Sequence, residues 1–146
     1  MPDKLLHKHV TDKILRAFYN VYNTLGLGFL EKVYENALAI EMRGMGLRVA
    51  QQQQLKVYYH GQEVGDYRAD LVIEGLVIIE LKVADAIHEI FMAQLMNYLK
   101  ATEIEVGMIL NFGPEPKFKR LVWTNDRKRL GNVKPLIEPD MVDQNG

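Results

Sequence analysis

The sequence predicts an α/β fold, a mixed sheet flanked by helices, and three observations carry that expectation. Apolar residues recur at helical spacing in two stretches near the N-terminus and in a third after Asp85. Between them, from Leu55 to Lys82, the period drops towards two, as in half-buried strands. The longest apolar run, Gly75 to Leu81, has the length of a strand and falls far short of the roughly 20 residues that cross a bilayer.

The first helix is expected from about Val10 to Leu25, where Ile14, Leu15, Phe18, Val21, Tyr22 and Leu25 share one side and Gly26-Leu27-Gly28 ends it. A second is expected from Leu30 to Met45. Its apolar stripe is Leu30, Val33, Tyr34, Ala37, Leu38 and Met42, and Gly44 and Gly46 are its stop signals. Leu55, Val57 and Tyr59 then alternate with polar neighbours, and His60-Gly61 reads as a turn. A strand follows over Tyr67 to Ile73, a turn at Glu74-Gly75, and the dense run Val77-Ile78-Ile79. Ile87, Ile90, Phe91, Leu95, Tyr98 and Leu99 mark a third helix from Ala86 to Thr102, with Val106 to Leu110 as a further strand. Asn111 to Pro116 is a loop, and Leu121-Val122-Trp123 is a candidate last strand. Three strands with short turns should form an antiparallel meander, and the connection through the third helix lets the next strand join in parallel. Residues 1–9 read as a lead-in, 10–124 as one domain and 125–146 as a polar tail whose end is expected to be mobile.

A length of 146 residues suits one domain. The lack of cysteine excludes disulfides, zinc–thiolate sites and thiol nucleophiles, and fits a reducing compartment. The N-terminus has no secretory-signal pattern and no stretch suits a membrane span, so the expected location is the cytoplasm, with no membrane partner. A net charge of −1 argues against a protein that coats nucleic acid broadly, while leaving room for a local basic groove. Lys117, Lys119, Arg120, Arg127, Lys128, Arg129 and Lys134 cluster late, a pattern that charge alone assigns to a solvated surface.

The informative signal is charge where periodicity points inwards. Ile78, Glu80 and Lys82 share one face of a very apolar strand, and Val77, Ile79 and Leu81 share the other. Helices covering both faces would leave Glu80 and Lys82 in a partly sheltered cleft. If Glu74-Gly75-Leu76 is a three-residue turn, Asp70 falls opposite Glu80, with Cβ atoms about 5 Å apart. A two-residue turn would instead put the two carboxylates on opposite faces. Carboxylates that close repel unless a cation or proton separates them. Oxygen donors favour Mg²⁺ or Mn²⁺, the Leu81 carbonyl offers a third ligand, and Lys82 beside the ion can orient water or offset phosphate charge. An internal ion pair of Lys82 with Glu80 or Asp70 fits the same pattern. Glu31, near the edge of the second helix's buried face, also suits a dipole or capping partner. Gln94, placed by spacing on the inward face of the third helix, also suits a buried residue satisfying a main-chain group.

Together these residues resemble the PD-(D/E)XK nuclease superfamily, and within it a small prokaryotic branch with a GxxExxY signature. That signature stands here as Gly28-Phe29-Leu30-Glu31-Lys32-Val33-Tyr34. Tyr67-Arg68-Ala69-Asp70 is similar to the branch's first carboxylate motif, Glu80-Leu81-Lys82 to its (D/E)XK element, and Gln94 with Tyr98 to its Q-x-x-x-Y helix. Asn111-Phe112-Gly113 is similar to the segment ending the next strand. Five elements in order, from about residue 10 to Trp123, make a specific match for fold and a less specific one for activity.

The resemblance implies an αβββαβ restriction-endonuclease-like core with an extra N-terminal helix. It implies Mg²⁺ (or Mn²⁺) held by Asp70, Glu80 and the Leu81 carbonyl, with Lys82 positioning the attacking water. Glu31 and Gln94 would assist from the helices, with Tyr34, Arg68 and Tyr98 supporting. The implied reaction is phosphodiester hydrolysis, with DNA as the expected substrate in repair or defence. Two positions depart from the pattern: Gly65-Asp66 replaces the literal Pro-Asp, and Phe91 stands where relatives often carry histidine. His7 and His9 fall on the lead-in and His60 in a turn, while His88, opening the third helix, is a candidate to approach substrate. The competing readings are a catalytically silent module of the same fold that binds nucleic acid or a protein, and a homodimeric structural protein.

Overall fold

The computed structural model describes residues 5–128. Residues 1–4 of the lead-in, most of the expected polar tail, Arg129 and Lys134 lie outside the described residues. Helices α1 (Lys8–Leu25) and α2 (Glu31–Gly44) come first, followed by strands β1 (Val49–Tyr59), β2 (Gln62–Ile73) and β3 (Val77–Lys82). Helix α3 (Glu89–Lys100) then leads to β4 (Val106–Phe112) and β5 (Pro116–Val122), and a 3-10 turn spans Asn125–Arg127. The strands form one five-stranded sheet in the order β1-β2-β3-β4-β5. Only the β3–β4 pair is parallel, because only there does a helical crossover return the chain to the same end of the sheet. This is the mixed, helix-flanked sheet that the sequence predicts.

Each sheet face carries its own core. Val77, Ile79 and Leu81 of β3 join Ile14 and Phe18 of α1, Tyr34 and Leu38 of α2, and Met108, Leu110 and Phe112 of β4. Ile78 faces the other way, with Leu95, Tyr98 and Leu99 of α3 and Ile109 of β4. A strand covered on both sides must be apolar throughout, which explains the composition of β3 and isolates Glu80 as the exception.

Several elements depart from the periodicity. Helix α1 begins at Lys8 and takes in His9, since no breaker precedes Gly26 and Lys8 pairs with Asp12 at 2.7 Å one turn on. The first two strands are longer than their apolar cores because their polar halves pair with each other, and a run of four glutamines, Gln51 to Gln54, lies within β1. The α2 stripe is rotated from the expected one: Tyr34, Leu38 and Met42 point inwards with Glu35 and Ala39, while Leu30 is 80% exposed. Helix α3 starts three residues late, and Ile90, expected inside, is 71% exposed. Gln94 is likewise exposed instead of buried, because the helix packs through Leu95, Tyr98 and Leu99.

The β1–β2 hairpin swaps faces partway along. Ala50 and Leu55 of β1 both reach the α3-side core despite an odd separation, as do Val72 and Ala69 of β2. The swap falls where Gln52 lies opposite Asp70: Gln52 has φ 54°, the pairs on either side keep the same register, and this one is missing from the ladder. A left-handed residue inside a strand kinks it as a bulge does.

Candidate active site

Ile73 pairs with Val77 across Glu74-Gly75-Leu76, so the turn is the three-residue one. Glu74 (φ 56°) and Gly75 (φ 65°) are both left-handed, and the Leu76 N–H donates to the Ile73 carbonyl at 2.9 Å. The β2–β3 ladder extends only from that pair to Leu71 and Ile79. Beyond it the strands part, and side chains replace the main-chain bonds. The Asp70 N–H donates to Glu80 Oε2 at 2.9 Å, and the Leu81 N–H donates to Asp70 Oδ2 at 2.8 Å. Each carboxylate is thus held against the other strand's main chain, in the crotch of a fork.

This placement is electrostatically costly. Glu80 is 5% exposed, and burial, with the neighbouring Asp70 charge second, pushes its carboxyl up to about 8. Asp70 is also raised, first by burial, against the lowering effect of its bond from Leu81. Glu31 enters from the first turn of α2. Its carboxyl is raised by partial desolvation and then by Asp70, while Lys82 and the Val83 N–H lower it. Asp70, Glu80, Glu31 and Lys82 therefore form one interacting set.

The helices hold this set by specific contacts. The Tyr34 hydroxyl donates to the Gly26 carbonyl at 2.5 Å and accepts from the Phe29 N–H at 3.3 Å, folding the loop before α2 over the helix start that carries Glu31. On the opposite face, Lys82 Nζ lies 4.7 Å from the centroid of the Phe91 ring, so the residue in the histidine position serves as a cation platform. Gln94 Nε2 donates to the Tyr98 hydroxyl at 3.0 Å, and desolvation followed by Glu80 pushes that hydroxyl up to about 12. Lys82, Ile90, Phe91, Ala93, Gln94 and Asn97 line an open groove of about 660 Å³. Arg68 is exposed and donates to the Gln52 carbonyl at 3.1 Å, so it braces β1. His88 occupies the N-cap position of α3, makes no capping bond with its side chain, and pairs with Asp85 at 2.9 Å.

Two residues that the sequence reading passed over complete the surroundings. Glu35 is 3% exposed and accepts from Gln51 and Gln52, each at 2.8 Å, while Lys32 lies 3.2 Å away. Gln52 Nε2 also reaches Asp70 Oδ1 at 3.4 Å, linking α2 to the fork. A second acid one turn after Glu31 was a visible signal for Glu35; nothing in the glutamine run singles out Gln52. Asn111, at the end of β4, clamps the chain after β3: Ala84 N–H donates to its Oδ1 at 3.0 Å and its Nδ2 donates to the Ala84 carbonyl at 3.1 Å.

Residues 8–121 match the sequence model of the PD-(D/E)XK nuclease superfamily, over the whole helix and sheet assembly that builds the fork. The chain belongs to that superfamily. Members are metal-dependent nucleases as a rule, so superfamily membership suggests a divalent metal and a nucleic-acid ligand. The crystal structure of SSO0001 is similar in fold, with a TM-score of 0.51 and 16% identity. That alignment covers 94% of this chain but 62% of the other, so this chain spans about three fifths of SSO0001. No curated protein sequence matches it significantly.

Proposed function

We propose that this chain is a divalent-metal-dependent nuclease of the GxxExxY branch that hydrolyses phosphodiester bonds in DNA, with Mg²⁺ or Mn²⁺ as its ion. The fork carries this reading: two carboxylates from neighbouring strands converge with an ammonium group alongside. Among the described residues no three histidine or acidic side chains make a ready-made metal cage. A hard cation fits nonetheless, because Mg²⁺ commonly takes one or two carboxylates and leaves its remaining positions to water and substrate.

Asp70, Glu80 and the Leu81 carbonyl would hold the ion, which when bound supplies charge to a phosphodiester oxygen and acidity to water. Glu80 must release its proton on binding. Lys82, steadied over Phe91, orients water or balances phosphate charge at the groove mouth. Glu31 adds a third acid on the α2 side, and Gln94, exposed on the groove wall, faces substrate. Single-stranded DNA, and more slowly plasmid, should be cut in Mn²⁺ or Mg²⁺ and left intact in EDTA. Lys82→Ala and Asp70→Asn should each lose about 100-fold or more in rate. A wild-type protein that binds metal yet cuts neither DNA nor RNA would overturn the proposal. With retained nucleic-acid affinity, that result would favour the silent module, a reading to which the near-neutral charge lends weight.

A further inference from the structure

We infer that the strand to be cut is single-stranded and crosses the α3 side of β5, its phosphates over Lys119 and Lys117 and one unstacked base in the groove beside Lys82. The inference rests on the nuclease reading and deepens it by naming the substrate form and its path. The parallel pairing sets Lys82 beside Asn111, and the antiparallel pairing sets Asn111 beside Lys117. Two residues along, on the same face, Glu80, Ile109 and Lys119 form a second row. Cross-strand neighbours share a face, so both lysines stand on the side of Glu80 and Lys82, with Lys117 about 10 Å from Lys82 by strand spacing.

The late basic cluster, uniform in sequence, is therefore sorted by the fold. Arg120 points to the other face and donates to the Leu6 carbonyl at 2.7 Å. Lys128 is committed to the Thr102 and Ile104 carbonyls at 2.9 and 2.7 Å. Lys117 and Lys119 remain exposed, and the ion pair Lys117 makes among the described residues is with the exposed Glu115 at 3.5 Å. Farther along, Lys100 and Arg127 each lie 5.1 Å from the Trp123 ring, which holds two more cations in place. Lysines on an edge strand also deter sheet-to-sheet pairing, but that role does not require them to align with the fork. The groove decides the form of the nucleic acid. Its 660 Å³ suits a ligand of nucleotide size, and Ile90, Phe91 and Ala93 give it apolar walls that an unpaired base can meet and a stacked base pair cannot.

The test measures binding of a fluorescent oligonucleotide in EDTA, as single strand and as duplex, across a salt series. The single strand should bind about 10-fold tighter than the duplex. Lys117→Gln with Lys119→Gln should flatten its log–log salt slope by about 1.4, whereas Arg16→Gln on α1 should leave the slope unchanged. Ile90→Ala, at an exposed position, should weaken single-strand binding without altering the slope. Equal or tighter duplex binding, or an unchanged slope in the double variant with circular dichroism showing it folded, would overturn the inference. Cleavage in Mn²⁺ separates the two ideas. Binding of this kind without cutting leaves the path standing and removes the nuclease, and cutting with lysine-independent binding does the reverse.

Discussion

At the residue scale, Glu80 links stability to chemistry. Its carboxyl titrates near 8 in the folded, metal-free protein and near 4.5 when unfolded. Between those values the folded state keeps a proton that the unfolded state has lost. Stability must therefore be greatest towards the acid end of that window and fall as pH rises through it, by at most about 1.4 kcal/mol per pH unit for this group. Asp70, also raised, adds to the same trend. Urea unfolding in EDTA across the window should show the fall, and Glu80→Gln should flatten it. The same proton must leave when a cation binds. Titration calorimetry near pH 7 in buffers of different ionisation heat should find about one proton released per ion, and Glu80→Gln should release fewer.

At the element scale, the chain after β3 and the kink of β1 set the geometry of the fork. Asn111→Ala would leave the Ala84 N–H and carbonyl without partners, at a cost of about 1–3 kcal/mol, read as a lower urea midpoint. Gly113 sits against the same segment: a Cβ there would come within 2.2 Å of the Ala84 carbonyl oxygen, so Gly113→Ala should also displace that chain. Gln52 offers a cleaner separation of backbone from side chain. Gln52→Gly accepts φ 54° but loses the amide that touches Glu35 and Asp70, whereas Gln52→Val loses the amide and strains the backbone as well. The valine variant should be less stable than the glycine variant by about 1 kcal/mol or more.

At the scale of the whole molecule, two cores grip one sheet, and the fork opens where neither fills it. A buried acid and a half-buried one in one crotch disfavour the folded state at neutral pH, and a bound cation offsets that disadvantage. Saturating Mn²⁺ should therefore raise the thermal midpoint, by the equivalent of about 2.7 kcal/mol at a hundredfold excess over the dissociation constant. The rise should vanish in Asp70→Asn, and scanning calorimetry reads both outcomes.

Periodicity alone yields the element order and the apolar strand β3, and it makes the alignment of Asp70 with Glu80 conditional on a three-residue turn, which the pairing of Ile73 with Val77 then supplies. These are local matters of periodicity and turn length, and a one-residue change in register would have reversed a whole face. It placed less well what depends on which way a helix rolls. Leu30, Ile90 and Gln94 lie outwards, while Glu35 lies inwards, because packing partners and not helical spacing choose the buried side. Tertiary pairing alone makes β2 leave β3 at Asp70, kinks β1 at Gln52 beside it, and sets Lys117 in the row of Lys82 and Lys119 in the row of Glu80. Those juxtapositions join residues distant in sequence through strand pairing, which no local pattern encodes.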